Sequence, residues 1–250
     1  MVCAVISDIH ANKEALDAVL AQIDGLGIEA VYCLGDIVGY NADPDACVET
    51  VMSRATEVIR GNHDKAVAGF LNLDWFNSAA RAAAQWTRAK VRPETLEAIR
   101  RLREGPQAAG EGDVLLCHGT PYDEDAYLMD AHSVDESYRT LDSQYPRARF
   151  CFLGHTHIPT LVARKKGAAR PQVMEWRETV ELDAAGVYLI NPGSVGQPRD
   201  GIPLASFGIL DSGRMVYRNI RVRYAVQETQ RKILAAGLPS SLARRLGEGR

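Results

Sequence analysis

Residues in the first 160 positions fall into short, largely apolar runs, each closed by glycine or polar residues. Runs of this length and closure are typical of buried strands. They cover residues 2–6, 30–34, 57–60, 113–117 and 149–153. Between them the apolar spacing is mostly helical, so this half of the chain is predicted to alternate strand and helix.

Several predicted helices begin at recognisable caps. Asn12 is a predicted N-cap, and Asp43-Pro44 combines a capping side chain with a first-turn proline. Ser133 and Glu136 have the spacing of a capping box. The predicted helices follow Asn12 as far as Gly25 and then cover 44–52, most of 65–105, 133–141, 226–234 and 239–246.

Beyond position 157 the apolar stretches become short and are separated by glycine or proline. They predict largely antiparallel strands over 160–164, 172–176, 179–182, 187–190, 206–210 and 214–222. The pattern is that of the α/β (α+β) class. No repeat, low-complexity segment or linker interrupts it, so we expect one domain over 1–250 with a helical insertion at 65–110.

Composition places the chain among soluble globular proteins, with 46% hydrophobic and 24% charged residues. Lysine plus arginine number 29 against 32 aspartate plus glutamate, so the net charge is −3. This balance gives no overall bias toward nucleic acid or an anionic membrane. Charged stretches at 164–166 and 244–245 are interpreted as solvated surface.

The five cysteines form no C-x-x-C pair and are interpreted as buried, reduced thiols. No basic leader precedes the first strand, and no stretch approaches the about 18–20 apolar residues of a membrane span. We therefore expect a cytoplasmic protein with no membrane partner. Trp75, Phe76 and Trp86 are expected to pack the helical insertion against the body of the protein.

Chemically active side chains follow each of the five strands predicted in the first 160 residues. They are Asp8 with His10, Asp36, Asn62 with His63 and Asp64, His118, and His155 with His157. Five of the six histidines fall in these places, and the sixth, His132, is interpreted as a core residue. Because strand ends of one sheet converge, we expect these side chains to meet.

The donor types restrict the metal that such a cluster would bind. Carboxylate, imidazole and amide without thiolate suit Mn²⁺, Fe or Zn²⁺. Seven of these residues are candidate ligands, namely Asp8, His10, Asp36, Asn62, His118, His155 and His157. Seven ligands are too many for one ion and suit two ions about 3.5–4 Å apart that share one carboxylate. Asp36 is the predicted bridge. A structural zinc site fits poorly, since such sites favour four ligands rich in cysteine.

Five motifs resemble, in order and spacing, those of the calcineurin-like metallophosphoesterase superfamily. They are Ser7-Asp8-Ile9-His10, Gly35-Asp36, Gly61-Asn62-His63-Asp64, His118-Gly119 and Gly154-His155-Thr156-His157. The stretch Asn191 to Asp200 is similar to the compact prokaryotic branch of that superfamily. The resemblance implies a four-layer αββα sandwich of two mixed sheets flanked by helices.

The resemblance also implies a dinuclear phosphoesterase using Mn²⁺, with Fe, Ni or Zn²⁺ as alternatives. One metal would be held by Asp8, His10, Asp36 and His157. The other would be held by Asp36, Asn62, His118 and His155. A hydroxide bridging the metals would attack phosphorus in line, and His63 would protonate the leaving oxygen or stabilise the transition state.

The sequence departs from some branches of the superfamily. Protein phosphatases and asymmetric dinucleoside tetraphosphate hydrolases carry an arginine shortly after the bridging aspartate, where this chain has Tyr40. Arg60 or Arg199 is a candidate substitute, with a surface ion pair as the alternative for each. A nuclease is disfavoured because no extra domain or basic balance is visible.

Two further residues are candidates for supporting roles. Asp64 would orient His63 or cap a helix, and Asn12 lies within reach of the site but is more simply the N-cap. The leading hypothesis is hydrolysis of phosphomonoesters or phosphodiesters of a small, nucleotide-like substrate. The alternative from another class is a non-catalytic scaffold, which the complete ligand set disfavours. The 65–110 insertion is expected to cap the site partly.

Overall fold

The computed structural model describes residues 1–165, 170–175 and 177–250. The strands are β1 (Val2–Ile6), β2 (Ala30–Cys33), β3 (Glu57–Val58), β4 (Gln107–Ala109), β5 (Val114–Leu116), β6 (Phe150–Phe152), β7 (Thr160–Lys165), β8 (Gln172–Val173), β9 (Thr179–Glu181), β10 (Gly186–Asn191), β11 (Ala205–Asp211) and β12 (Val216–Val222). The helices are α1 (Lys13–Gly25), α2 (Pro44–Arg54), α3 (Asn62–Ala68), α4 (Ser78–Lys90), α5 (Pro93–Arg100), α6 (Ala131–Gln144), α7 (Val226–Ala235) and α8 (Ser240–Glu248), with a 3₁₀ turn at Leu73–Trp75.

Within the described ranges, these strands form two six-stranded sheets. The first sheet has the order β3-β2-β1-β11-β12-β9, and the second has the order β4-β5-β6-β10-β7-β8. Strand β1 runs parallel to β2 and antiparallel to β11. Strand β10 likewise runs parallel to β6 and antiparallel to β7. Both sheets are therefore mixed.

Alternating side chains along the strands create three separate apolar layers. In β1, Ala4 and Ile6 belong to a cluster with α1 and α2, while Cys3 and Val5 face the second sheet. In the second sheet, Leu115 of β5 turns away from the first sheet and belongs to a cluster with α6. Two sheets with helices on both outer faces result, which confirms the predicted four-layer αββα sandwich.

Helices α7, α8 and α4 form a further apolar cluster at one end of the sandwich. It includes Leu242 and Leu246 of α8, Ala83 of α4, and the buried ring of Tyr40. The C-terminal helices therefore pack beside a loop that follows β2. None of the helices in the described ranges is long and apolar enough to cross a lipid bilayer.

Local capping agrees with the sequence at one helix and differs at two. The side chain of Asn12 accepts a hydrogen bond from the N–H of Ala15 at 3.1 Å, so the predicted N-cap of α1 is confirmed. Asp43 precedes α2 without a capping side-chain bond. The capping box of α6 was placed three residues late, because Asp130 and Ser133 form it. The helix predicted over 133–141 therefore begins earlier, at Ala131, and it also continues further, to Gln144.

Other predicted elements change in extent. The helical stretch at 65–105 divides into α3, the 3₁₀ turn, α4 and α5, and β4 after it was missed. The strand predicted over 172–176 is limited to β8, and residue 176 lies outside the described residues, as does residue 166 of the charged stretch at 164–166. His132, predicted in the core, is exposed on α6. All five cysteines are free and buried, as predicted.

Candidate metal centre

Strands from both sheets end at one site. Asp8 and Asp36 follow β1 and β2 of the first sheet, whereas His118 and His155 follow β5 and β6 of the second. The N–H of Asp8 donates to the carbonyl of Gly35 at 3.1 Å, which joins two of these loops. The strand ends that carry these residues belong to two sheets, whereas their convergence was predicted for a single sheet. The residues converge because the carboxyl edges of two stacked sheets meet.

The predicted ligands separate into two overlapping groups. One group of four buried ligand atoms lies within 4.8 Å of one another and comes from Asp8, His10, Asp36 and His157. A second group, whose ligand atoms also lie within 4.8 Å of one another, comes from Asp36, His118 and His155. The side-chain oxygen of Asn62 lies 3.2 Å from Nε2 of His118, which adds an amide to the second group. The two groupings coincide with the two ligand sets implied by the resemblance.

Asp36 is the residue common to both groups. Its Oδ2 atom lies 3.6 Å from Nε2 of His10 and 3.4 Å from Nε2 of His118. Its other oxygen, Oδ1, accepts the backbone N–H of His63 at 2.8 Å. That hydrogen bond fixes the carboxylate between the groups, where it is placed to bridge.

The hydrogen bonds of three histidines direct their Nε2 atoms into the site. Nδ1 lies 3.2 Å from a backbone carbonyl oxygen in His10, 2.8 Å in His118 and 2.6 Å in His157. Since a carbonyl only accepts, each Nδ1 carries a proton, so Nε2 is the ring atom that would bind a metal ion in place of a proton. This is the arrangement by which metal-binding imidazoles are usually held.

The spacing of two of these nitrogens provides a test of metal binding. Nε2 of His10 and Nε2 of His157 are 3.1 Å apart. Burial lowers the pKa of both rings well below the usual value, so neither carries the extra proton that would join them. Two neutral imidazoles whose Nε2 atoms face each other at this distance are arranged as two ligands of one cation. The nitrogen and oxygen donors present therefore fit a metal ion.

Electrostatic strain in the cluster points the same way. Burial raises the pKa of Asp8 to about 6, and the neighbouring Asp36 carboxylate adds to that rise. Burial also opposes ionisation of Asp36, but His118 and His63 outweigh it and hold the Asp36 pKa well below its usual range. In His118, attraction to Asp36 overcomes the effect of burial and raises the pKa to about 10. A buried cluster of this kind calls for positive charge at its centre.

Backbone strain is concentrated in the same residues. Five of the predicted ligands have left-handed backbone φ angles, namely Asp8 at 54°, His10 at 49°, Asp36 at 51°, His155 at 66° and His157 at 62°. Each such conformation costs about 1–3 kcal/mol in a non-glycine residue and is typical of functional sites. The fold keeps these side chains converged at the expense of backbone stability.

His63 lies beside the metal-ligand cluster inside a cage of rings. The ring centroid of His63 is 4.4 Å from that of Tyr40, 4.6 Å from that of Phe76 and 4.8 Å from that of His10. Its Nδ1 atom is buried without a hydrogen-bond partner in the described residues. Burial lowers the pKa of His63 to about 4, only partly offset by Asp36, so the ring is neutral at pH 7.

The candidates for supporting roles separate clearly. Asp64 accepts backbone N–H bonds from Ile37 at 3.0 Å and Gly61 at 3.0 Å, and makes no hydrogen bond to His63 among the described residues, so its role is capping. Asn12 caps α1 and donates to the carbonyl of Gly196 at 2.9 Å, outside the ligand groups.

The two candidate arginines also differ. Arg60 forms an ion pair with Glu104, which is the surface interpretation. Arg199 has no carboxylate within 4.0 Å among the described residues and instead donates to Gln197 at 3.1 Å and to the Tyr40 hydroxyl at 3.3 Å. Of the two, Arg199 is the one available to a bound anion.

A second arginine near Tyr40 was not recognised from the sequence. Arg245 of α8 lies with its guanidinium carbon 6.0 Å from the Tyr40 ring centroid, and Arg199 lies 5.9 Å from the same centroid. Burial, together with the positive charge of Arg199, lowers the pKa of Arg245. The interpretation of 244–245 as solvated surface holds for Arg244, which is exposed, but is wrong for Arg245.

A pocket of about 320 Å³ opens beside the cluster. Three site residues line it, together with five residues of the helical insertion and three residues of other loops, namely Asn62, His63 and His155, then Leu71, Trp75, Phe76, Asn77 and Ala80, and then Tyr40, Asp125 and Tyr127. Phe76 and Trp86 pack against the cluster of α4, α7 and α8 as predicted, but Trp75 is 83% exposed, so its predicted packing was wrong. The insertion therefore borders the site, and its role as a cap stays a prediction.

Two supporting residues were missed. Tyr127 stacks on His155 with ring centroids 3.9 Å apart. The sequence around Tyr127 contains no pattern that predicts this contact. Asn191 donates to the carbonyl of Gly154 at 2.7 Å and to the Thr156 hydroxyl at 2.9 Å, which secures the loop that carries His155 and His157. Asn191 lies in the stretch already similar to the prokaryotic branch, and that similarity was the available signal.

Comparison with known proteins agrees with this fold and identifies the family. Residues 1–214 match the model of the calcineurin-like phosphoesterase superfamily domain. The chain belongs to that superfamily, whose members are metallophosphoesterases, and its buried aspartate and histidine cluster is a candidate metal site.

Individual relatives extend over the whole chain. An uncharacterized protein of Methanocaldococcus jannaschii, MJ0912, is 38% identical over 99% of this chain and 98% of its own length. The crystal structure of a metallophosphoesterase from Sphaerobacter thermophilus is 37% identical, with a TM-score of 0.82 over 100% of this chain and 99% of that one. The hypothetical protein PH1004 from Pyrococcus horikoshii, 21% identical, has a TM-score of 0.79 over 100% and 98% of the two chains and shows the shared fold alone.

Proposed function

We propose that this protein is a dinuclear metal-dependent phosphoesterase that hydrolyses phosphomonoester or phosphodiester bonds of a small, nucleotide-like substrate. The observation that carries the proposal is the convergence of two ligand groups on one shared carboxylate, Asp36. The Nε2 atoms of His10 and His157, 3.1 Å apart, are placed to bind one cation together, which supports the proposal. Mn²⁺ is the proposed ion, since nitrogen and oxygen donors without thiolate suit it.

When bound, two cations would supply Lewis acidity, lowering the pKa of water and neutralising charge on phosphate. The protein's own contribution is placement. Asp8, His10 and His157 would hold one cation, and Asn62, His118 and His155 the other. Asp36 would fix their separation, with its orientation set by the N–H of His63 at 2.8 Å.

His63 is proposed to act on the leaving group. Its ring lines the pocket beside the cluster, and its neutral form donates a hydrogen bond to a phosphoryl or leaving-group oxygen. The negative charge of an arriving phosphate raises the pKa of the imidazole and favours proton donation. His63 would therefore act either by donating a hydrogen bond or by transferring a proton. The dependence of the rate on the leaving group distinguishes these two roles.

The small pocket, and Arg199 with no carboxylate partner in the part of the chain that the structure describes, support a small anionic substrate. A pocket of about 320 Å³ suits a small molecule better than a folded protein substrate. A non-catalytic scaffold would have no need for five strained ligand backbones. The five free cysteines support a cytosolic location as part of the same proposal.

The test is hydrolysis of p-nitrophenyl phosphate and bis-p-nitrophenyl phosphate by chelator-stripped protein resupplied with Mn²⁺, Fe²⁺, Ni²⁺, Zn²⁺ or Mg²⁺. Turnover restored by metal, with two ions bound per chain, is the expected result. The ratio of the two rates assigns monoesterase or diesterase preference. Folded protein that binds two ions but hydrolyses neither ester, nor any nucleotide, would favour the scaffold.

The variant His63→Gln tests the role of His63. The matched control is His132→Gln, because His132 is exposed on α6. His63→Gln should retain both metals by elemental analysis and lose most of its rate toward esters with poor leaving groups. His132→Gln should behave as the wild type in both assays. Loss of metal from His63→Gln would mean that His63 is a ligand or supports one.

A further inference from the structure

Four aromatic side chains surround the pocket beside the metal-ligand cluster. We call it the aromatic pocket; its lining includes Tyr40, Trp75, Phe76 and Tyr127. Asn62, His63 and His155 line the same cavity, so a ligand bound there reaches the candidate metal centre. Tyr40 and Phe76 are committed to packing on His63. Trp75 and Tyr127 are the two rings with large exposed faces.

Trp75 is the more exposed of the two. Its side chain is 83% exposed, although water is an unfavourable environment for an indole ring. The turn that carries it is nevertheless well secured: the Asn72 side chain caps it at the N–H of Asp74, and Arg81 donates to the carbonyl of Leu73 at 3.1 Å. The backbone that carries the indole is therefore held in place, and the exposed ring is available to a ligand.

Tyr127 enters the aromatic pocket from another loop. It is 46% exposed and stacks on His155 at 3.9 Å, with an interplanar angle of 21°. Lys65 of α3 anchors that loop through ion pairs to Glu124 at 2.8 Å and Asp125 at 2.5 Å. One face of the ring is thus fixed against a candidate metal ligand, and the ring itself remains accessible.

We propose that Trp75 and Tyr127 bind the nucleobase of a nucleotide whose phosphate lies at the candidate metal centre. This inference rests on the proposed function and adds to it the part of the substrate that the protein recognises. A nucleobase is planar and offers a π-face to both rings. A bare sugar phosphate has no such face and would leave both aromatic side chains in water.

The pocket favours a mononucleotide over other occupants. Its volume of about 320 Å³ is at the lower end of ligand pockets, which suits one nucleotide. A docked protein would use a broader apolar surface, whereas these rings line a concave cavity that ends at His63 and His155. The net charge of −3 gives no support for a long nucleic acid chain.

The experiment compares adenosine 5′-monophosphate with ribose 5-phosphate. Both are monoesters of a ribose 5-hydroxyl group, so they share the scissile bond and differ in the base. With Mn²⁺-loaded protein, kcat/KM should be about tenfold or more higher for the nucleotide, as stacking on aromatic side chains provides. Trp75→Ala and Tyr127→Ala should each remove most of that preference, measured as the ratio of kcat/KM for the two substrates within the same variant.

Tyr122→Ala is the matched control, because Tyr122 is an exposed tyrosine of the same loop that does not line the pocket. It should retain the preference for the nucleotide. A second readout does not depend on turnover: the nucleotide should quench indole fluorescence at concentrations where ribose 5-phosphate does not. Trp75→Phe should abolish that quenching.

The outcomes separate this inference from the proposed function. Metal-dependent hydrolysis of p-nitrophenyl phosphate with no nucleotide preference and no base-dependent quenching would overturn the nucleobase site and leave the phosphoesterase intact. Base-dependent quenching lost in Trp75→Phe, without hydrolysis of any ester, would support the nucleobase site and count against the proposed activity. Equal quenching by both ligands would also refute recognition of the base.

Discussion

A single methyl group at Gly39 should disable His63 without touching the metal ligands. Gly39 has a φ angle of +95°, and a Cβ atom there would lie 2.4 Å from Nδ1 of His63. Non-bonded atoms need about 3.5 Å, so the ring must move by about 1 Å in Gly39→Ala. A displacement of about 1 Å at a reacting group costs roughly 100-fold in rate. The left-handed φ adds about 1–2 kcal/mol of backbone strain.

Gly27→Ala is the matched control for the strain alone. Gly27 also has a left-handed φ, +69°, but no atom lies within 4 Å of its Cβ position. Both variants should lose a few degrees of Tm, since about 1 kcal/mol lowers Tm by about 2–4 °C in a chain of this size. Only Gly39→Ala should lose kcat toward esters with poor leaving groups, at unchanged metal content. Near wild-type kcat in Gly39→Ala would refute the placement of His63 in the reaction.

Three further outcomes are expected. Asp36→Asn should lower metal content in both sites and abolish hydrolysis, because its carboxylate belongs to both ligand groups; near-normal turnover would remove the bridging role. Asn191→Ala should lower the free energy of unfolding, measured in urea, by about 2 kcal/mol and weaken metal affinity about 10–100-fold, because buried Gly154 and Thr156 lose their hydrogen-bond partner. Unchanged metal affinity would contradict the supporting role of Asn191. A thiol reagent at pH 8 should label no cysteine rapidly until the protein is denatured, since all five are buried and burial raises the pKa of Cys3 to about 12; rapid labelling of folded protein would contradict that burial.

Local sequence patterns were sufficient for most of the strands, β4 excepted, and for the clustering of the candidate ligands. A buried strand needs a run of apolar residues, so such a run predicts the strand. A polar residue at the carboxyl end of the run shows where the chain reaches solvent or a functional site. Asn12 was predictable as an N-cap because capping depends on neighbours within one helical turn, and its bond to Ala15 shows this. Asp130 was missed because two capping patterns overlap in the same few residues.

Features that depend on distant pairing were not predictable from one sequence. Strand β1 pairs with β11 across about 200 residues, as in Val2 with Asp211, and this pairing places β11, β12 and β9 in the first sheet. The left-handed backbone of Asp8 or His157 has no sequence marker, since glycine is the usual sign of that conformation. Trp75 and Arg245 were misjudged for opposite reasons, because an aromatic residue normally packs and an arginine is normally solvated.

Under the proposed function, the charge balance of the site explains how an acidic protein selects an anionic substrate. Asp8 and Asp36 are both buried and together contribute two negative charges. Two dications would leave the centre with a net charge of about +2, which an arriving phosphate dianion neutralises. Arg199, without a carboxylate partner among the described residues, adds positive charge at the same edge. The attraction is confined to the buried centre, so a net charge of −3 over the whole chain does not oppose it.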